Sequence, residues 1–153
     1  MGLNLFNKKI EIQKSFAGFY EVDFHSHIIP GVDDGSRSVE ESIEIITFFK
    51  SIGLRKMITT PHISTDYHQN KQVDIMEQFR ILKDGVIKAG IDIELEVAAE
   101  YMIDDGFRDL IDKGNLLTFG NNYLLIELSS FTQHPDFFNL IFDLQRLGPQ
   151  KHV

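Results

Sequence analysis

The 153-residue chain contains no cysteine and no tryptophan. Disulfides and thiolate metal ligands are therefore excluded. Any metal ion must be held by imidazole nitrogens and carboxylate oxygens, a donor set that suits Zn, Mn, Fe or Mg. The chain also lacks a run of ~20 apolar residues, which a membrane span needs, and the apolar core of a signal peptide. These absences predict a cytoplasmic protein that does not insert into a membrane.

Positive charge is scarce as well, because 15 Lys and Arg residues face 23 Asp and Glu residues, for a net charge of −8. A nucleic-acid backbone would repel such a surface, so a nucleic-acid partner is not expected. The apolar content of 42% and charged content of 25% are ordinary for a globular domain. We expect one domain over residues 19–153, preceded by an N-terminal extension at residues 1–18.

Short apolar segments alternate with amphipathic segments along the chain. The segments that predict strands are residues 19–25, 55–62, 91–100 and 123–129. A first helix is predicted to begin after Ser38, with Glu41 at the capping-box spacing. A second helix ends near Gly90, a third covers residues 104–114, and a fourth carries Pro135 in its first turn. The alternation indicates an α/β fold with a parallel sheet, either open or closed as a barrel.

Each predicted strand ends in residues that can bind a metal ion. Because the carboxyl ends of parallel strands meet at one edge of a sheet, these side chains should lie close together. Taken singly, each has a simpler explanation, such as a turn at Asp34-Gly35, but Glu127 in an apolar strand requires a charge partner. The candidate residues are His25 and His27, with Asp33 and Asp34 in the next loop, then His62, Glu100 and Glu127.

Other polar residues near these strand ends leave alternatives open. His68 either lines the mouth of the site or is solvated, and solvation is favoured. Arg37, beside the acidic loop, is a better candidate for a phosphate contact than Arg55, which should lie at the opposite end of its strand. Tyr101 is as compatible with core packing as with a pocket wall.

Four motifs in order, "DFHSHIIPGVDDGSRSVEESIEI", "ITTPHIS", "AAEYMIDDGF" and "LTFGNNYLLIELS", resemble the PHP (polymerase and histidinol phosphatase) superfamily. In particular, the chain is similar to the bacterial tyrosine-protein phosphatases of capsule and exopolysaccharide operons, the CpsB/CapC/YwqE type. The motifs cover most of residues 20–145. The resemblance implies a distorted (β/α)7 TIM-like barrel with up to three divalent metal ions at its mouth.

The resemblance also implies a role for each candidate ligand. It assigns the ligands to three ions: His25, His27 and Glu100 to the first, Glu100 and Glu127 to the second, and Asp34 and His62 to the third. Asp33 is expected to orient a ligand or to cap the loop. Mn is the favoured metal, with Fe, Zn and Mg as alternatives.

The function implied is metal-assisted hydrolysis of a phosphomonoester. The substrate would be the phosphotyrosine tail of a bacterial tyrosine autokinase, with Arg37 as the candidate catalytic residue at the phosphate. Two alternatives are a PHP phosphoesterase acting on a small metabolite such as histidinol phosphate, and a remnant that binds metal or a partner without turnover.

The sequence departs from the family pattern after "NLIFDLQRLG", where "PQKHV" stands in place of the family's H-P-E-R-Y segment and the Asp-x-His pair that follows. We therefore expect a truncated or frame-shifted form whose barrel is incomplete at the C-terminus. Such a chain would expose a sheet edge and core side chains, and would be prone to association with another chain or with a second copy.

Overall fold

The computed structural model of the protein describes residues 20–114, 116–129 and 134–147. The predicted extension at residues 1–18 lies outside this part of the chain. The strands are β1 (Val22–Asp23), β2 (Lys56–Thr59), β3 (His62–Ile63), β4 (Glu94–Val97), β5 (Glu100–Met102) and β6 (Leu125–Glu127). The helices are α1 (Val39–Ser51), α2 (Gln72–Lys88), α3 (Phe107–Lys113) and α4 (Phe137–Leu147).

The strands form two parallel three-stranded sheets, in the orders β1-β2-β4 and β3-β5-β6. The pairs Lys56–Glu94 and His62–Glu100 keep the same register. β3 therefore continues β2, and β5 continues β4, so that two of the predicted strands are each divided into two segments. The division between β2 and β3 falls at Pro61, which has no N–H to donate to the neighbouring strand.

The predicted α/β fold with parallel strands is confirmed. Among the residues that the structure describes, the strands do not close into a barrel. β1 and β4 are the outer strands of the first sheet, and β3 and β6 are those of the second. In the same part of the chain, no helix combines the length and the apolar character needed to cross a membrane.

Helix α1 begins as its sequence predicts. The Ser38 side chain accepts a hydrogen bond from the Glu41 N–H at 3.2 Å, and this satisfies one of the free donors of the first turn. The Glu41 carboxylate accepts a second bond from the Arg37 N–H at 2.8 Å. Gly85 of α2 allows close packing against α1, because a Cβ there would come within 2.7 Å of Val39 Cγ1.

The core lies between the sheets and the helices. Its fully buried side chains include Ile29, Ile46, Met57, Ile75, Leu82, Tyr101, Phe107, Ile111 and Leu140. Tyr101 belongs to this core and not to a pocket wall. Its hydroxyl accepts a hydrogen bond from the Leu117 N–H at 2.7 Å, and burial raises the pKa of Tyr101.

Exposed apolar side chains lie on the outer strand β1 and on the residues that flank it. Tyr20, Val22 and Phe24 are 68%, 48% and 60% exposed. With Phe49 and Leu54, among others, they line an apolar groove beside β1. An outer strand with exposed apolar side chains favours association with another chain.

Candidate metal centre

All six predicted metal ligands lie in one cluster where strands β1, β2 and β4 end. His25, His27 and Asp34 follow β1, His62 and Glu100 begin β3 and β5, and Glu127 ends β6. They form three groups, each with ligand atoms within 4.8 Å of one another: His25, His27 and Glu100; His27, Asp34 and His62; and His62, Glu100 and Glu127. His27, His62 and Glu100 each belong to two of the groups. The three groups are therefore parts of a single centre, and the strand pairing of His62 with Glu100 fixes its middle.

A hydrogen bond to a buried hydroxyl orients the ring of His25. Its Nδ1 shares a 2.6 Å hydrogen bond with Thr60 Oγ1, and Thr60 is fully buried. Its Nε2 faces Glu100, 3.7 Å from Oε1. When Nδ1–H donates to Thr60, the lone pair of Nε2 points into the centre, as a metal ligand requires.

Asp33 anchors His27. Its carboxylate accepts hydrogen bonds from His27 Nδ1 at 2.7 Å, from the His62 N–H at 3.0 Å and from the Gly35 N–H at 3.1 Å. Its side chain is only 1% exposed. The structure thus shows the orienting contact expected of Asp33, and His27 Nε2 is left facing Glu100 Oε2 at 3.6 Å.

The contact between Asp33 and His27 shifts the pKa of both groups. Burial raises the pKa of Asp33, but the hydrogen bonds from His27 and from two backbone amides outweigh it and lower the pKa to about 2. The same hydrogen bond raises the pKa of His27 against the opposing effect of burial. Asp33 is therefore ionised at neutral pH and retains the proton on His27 Nδ1.

The loop that carries these acids depends on a glycine. A Cβ at Gly35 would lie 2.0 Å from the main-chain oxygen of His27. This close approach lets the Ser36 N–H donate to that oxygen at 3.0 Å. A second glycine, Gly31, has a φ of +68° and its N–H donates to Ser36 O at 2.8 Å. The "PGVDDG" segment is thus a tight loop that folds back onto His27.

His62 contacts carboxylates through both ring nitrogens. Nδ1 lies 3.1 Å from Glu100 Oε2 and 3.4 Å from Glu127 Oε2. Nε2 lies 3.8 Å from Asp34 Oδ1, and the Asp34 side chain is 71% exposed. The centre therefore opens to solvent on the Asp34 side and is enclosed on the Glu100 side, where the carboxylate is 11% exposed.

The carboxylates carry negative charge that the described residues do not fully balance. Glu127 Oε2 is buried, and it has no hydrogen-bond partner among the residues that the structure describes. His62 Nδ1 is within ion-pair range of it but does not make a hydrogen bond. A buried carboxylate oxygen without a donor is costly, and a bound cation removes this cost. The residues present therefore fit divalent metal ions, with imidazole and carboxylate donors suited to Zn, Mn or Fe.

Two other residues differ from expectation or remain untested. His68 is half-buried, and its ring stacks on that of His62 with centroids 4.9 Å apart, so the expectation of simple solvation is wrong. The sequence feature that predicts its position near the site is its place in the loop that follows a strand.

Arg37 is exposed, and its guanidinium forms no ion pair within the described part of the chain. Its contact with a phosphate stays a prediction.

The fold and the site together define a class: a parallel α/β domain with a histidine–carboxylate centre at the ends of its strands. Residues 21–150 match the family model for capsular polysaccharide synthesis, CpsB/CapC. The chain belongs to this family.

Similar curated proteins belong to the same family. The chain is 30% identical over 129 residues to the tyrosine-protein phosphatase YwqE of Bacillus subtilis, and 30% identical to the putative tyrosine-protein phosphatase CapC of Staphylococcus aureus. Each match covers 83% of this chain and 50% of the relative. CpsB of Streptococcus pneumoniae, also a tyrosine-protein phosphatase, is 26% identical over 83% of this chain and 53% of its own length. The chain thus spans about half the length of the curated relatives it matches.

A solved structure shares the fold. It comes from the crystal structures of YwqE from Bacillus subtilis and CpsB from Streptococcus pneumoniae, which are described as unique metal-dependent tyrosine phosphatases. The TM-score is 0.73 at 28% sequence identity, over 82% of this chain and 51% of the solved chain. The likeness therefore covers most of this chain and about half of the solved chain.

Proposed function

We propose that the centre belongs to a metal-dependent protein-tyrosine phosphatase that acts in the regulation of capsule or exopolysaccharide synthesis. The observation that carries the proposal is the interlocked set of three ligand groups, in which a buried oxygen of Glu127 lacks a donor among the described residues. The family match and the names of the relatives support the reaction class. The complete family fold is proposed to be a distorted (β/α)7 barrel.

The proposed ligand sets lie within the geometric groups, which add His62 beside Glu100 and Glu127, and His27 beside Asp34 and His62. His25, His27 and Glu100 hold one divalent ion, Glu100 and Glu127 a second, and Asp34 and His62 a third, with Mn as the proposed metal. Bound divalent ions supply charge neutralisation of the phosphate, a more acidic bound water and stabilisation of the leaving oxygen. Two contacts support the ligand geometry: Asp33 fixes the proton on His27, and Thr60 fixes the ring of His25.

The open side of the centre is the side on which a substrate would bind. Asp34 lies there with most of its side chain exposed, and the exposed Arg37 follows three residues later. We propose that Arg37 contacts the substrate phosphate, since a guanidinium matches phosphate geometry. A covalent cysteine intermediate is excluded because the chain has no cysteine. The ester is proposed to be cleaved by water, which bound divalent ions would make more acidic.

The proposed substrate is the phosphotyrosine tail of a bacterial tyrosine kinase. A tail of this kind is an extended peptide, and a centre with an open rim can accept its phosphorylated side chain without enclosing the peptide. A kinase tail that is phosphorylated in the cytoplasm requires a cytoplasmic phosphatase, which is the location proposed for this protein.

Phosphate release tests the proposal. The purified chain is assayed with a phosphotyrosine peptide and with histidinol phosphate, with added Mn²⁺ and with chelator. We expect release from the phosphotyrosine peptide that depends on Mn²⁺, little release from histidinol phosphate, and none with chelator. Glu100→Gln should abolish the release, whereas Glu94→Gln should not. Glu94 is the matched control because it lies away from the centre and pairs with Lys56 at 2.9 Å.

Three results would count against the proposal. Activity that persists under chelation would exclude the metal-dependent mechanism. Preference for histidinol phosphate would favour a small-metabolite phosphoesterase. Folded protein that binds Mn²⁺ and releases phosphate from neither substrate would identify a metal-binding form without turnover.

A further inference from the structure

Four imidazole rings lie in a row across the centre. His25 and His27 meet edge to face at 5.1 Å, and His27 and His62 are tilted by 54° at 4.5 Å. His68 completes the row and is nearly parallel to His62, with an interplanar angle of 13° and centroids 4.9 Å apart. The first three rings belong to the ligand groups and the fourth does not. His68 therefore contacts the centre through the face of one of its ligands.

The backbone places His68 against His62. Residues 64–70 follow β3 as a compact loop. The Ser64 N–H donates to His68 O at 2.9 Å, and Ser64 Oγ accepts from the N–H groups of Asp66 and Tyr67 at 3.1 and 2.9 Å. These bonds close the loop on itself and present His68 on its inner side, whereas Tyr67 is 81% exposed.

The same loop is attached to its surroundings at both ends. The Thr65 N–H donates to Asp104 Oδ2 at 2.6 Å, and a Cβ at Gly106 would lie 2.1 Å from Thr65 Cγ2. Asn70 Nδ2 donates to His62 O at 2.9 Å. These bonds fix the backbone on both sides of His68, and with it the position of the His68 Cβ.

We propose that His68 is a positioning residue that holds the ring plane of His62. In the observed orientation, His62 Nδ1 faces Glu100 and Glu127 while Nε2 faces Asp34. Rotation of the imidazole about its terminal torsion has only broad intrinsic preferences. A parallel ring on the face of His62 limits that rotation, in addition to the tilted ring of His27 and the carboxylates near Nδ1.

The inference rests on the proposed metal binding, because it concerns the geometry that His62 presents to an ion. Partners that orient a metal-binding histidine commonly change metal affinity by about 10- to 100-fold. They usually act through a hydrogen bond to the second ring nitrogen. Here both nitrogens of His62 face carboxylates, so the ring face is the surface left for a positioning contact.

The test uses the full chain, three variants that probe the stack and one variant that assigns the NMR signals. His68→Ala removes the stack, and His68→Phe keeps a flat ring without nitrogens. Gln69→Ala removes a contact of the same loop, the bond from Gln69 Nε2 to Thr65 O, without touching His62. Calorimetric titration with Mn²⁺ alone measures affinity. In the metal-free protein, the NMR shifts of the His62 ring protons report stacking, and comparison with His62→Gln assigns them.

We expect His68→Ala to weaken Mn²⁺ binding by about tenfold and to remove the upfield ring-current shift of the His62 protons. His68→Phe should restore both, and Gln69→Ala should match the wild type in both. Unchanged affinity and shifts in His68→Ala would overturn the proposal. The proposal would also fail if His68→Phe bound Mn²⁺ as weakly as His68→Ala, because the effect would then belong to the ring nitrogens. It would fail as well if Gln69→Ala bound Mn²⁺ that weakly, because the effect would then come from the order of the loop.

Failure of metal binding and failure of the His68 contact are distinguishable. If the wild type binds no Mn²⁺, the proposed function fails. The NMR comparison in the metal-free protein then still decides whether His68 holds the ring of His62.

Discussion

Replacement of Asp33 by Asn tests the electrostatic organisation of the centre without any metal ion present. Asp33 Oδ2 accepts from both His27 Nδ1 and the His62 N–H, and Oδ1 accepts from the Gly35 N–H. An amide offers one oxygen and one NH₂ group, so at least one of these donors must face another donor. The substitution also removes the negative charge that favours a protonated His27.

The expected loss of stability follows from the pKa of Asp33. A lowering of that pKa from 3.8 to about 2 corresponds to about 2 kcal/mol of unfolding free energy for this buried carboxylate. Because the folded-state pKa is the lower one, this contribution is present above pH 3.8 and is lost as the pH falls through about 2. The raised pKa of His27 adds a contribution that is present below pH 6.5 and declines as the pH rises through the folded-state value.

The assay is urea unfolding of the metal-free wild type and Asp33→Asn, in chelator, over about pH 3 to 8. The difference in unfolding free energy should be greatest near about pH 5, where both groups are charged, and should shrink on the acid side. Asp34→Asn is the matched control, since Asp34 is 71% exposed and its removal should change stability by less than about 0.5 kcal/mol. A difference that stays constant from pH 6 to pH 3 would refute the assigned role of Asp33.

Three further predictions concern the cation requirement, the loop and the exposed strand. Glu127→Gln should lower Mn²⁺ affinity by at least about tenfold in calorimetry. The metal-free variant should be no less stable than the wild type, because the substitution removes the charge of a buried oxygen that lacks a donor among the described residues. A large loss of stability in the metal-free protein would contradict this. Gly35→Ala should lower the unfolding free energy by about 2–3 kcal/mol because its Cβ would clash with a main-chain oxygen. The control is Gly31→Ala, where φ is positive but the space around the Cβ is open, and it should lower the unfolding free energy by only about 1 kcal/mol. Equal losses in the two variants would rule out the clash. In sedimentation velocity the chain should self-associate with rising concentration. Phe24→Ser, directly after β1, should reduce this more than Ile87→Ser on α2, a residue of similar exposure. A monomer at all concentrations would contradict the prediction.

Local signals in the sequence predict much of this fold. Ser38 and Glu41 mark the start of α1 because capping depends on residues within one turn. The ligand cluster is predictable for a different reason. Parallel strands bring their carboxyl ends together, so residues at four strand ends become neighbours whatever their separation in sequence. Manganese as the metal and Arg37 as the phosphate contact stay predictions.

Other features depend on contacts that no local pattern encodes. Division of the strands at Pro61 reflects a missing donor whose effect depends on the neighbouring strand. The need for Gly35 depends on how far the loop folds back onto His27. The stack of His68 on His62 depends on bonds between residues 64–70 and a loop about 40 residues away. These contacts join residues far apart in sequence, so local sequence patterns do not predict them.

The central claim is that the histidine–carboxylate cluster holds divalent metal ions. An anomalous difference map from crystals grown with Mn²⁺, recorded near the manganese absorption edge, tests it most directly. We expect peaks among His27, His62 and Glu100, within coordination distance of their side-chain nitrogens and oxygens. A well-ordered structure without a peak in this cluster, or with Mn²⁺ bound only elsewhere, would contradict it.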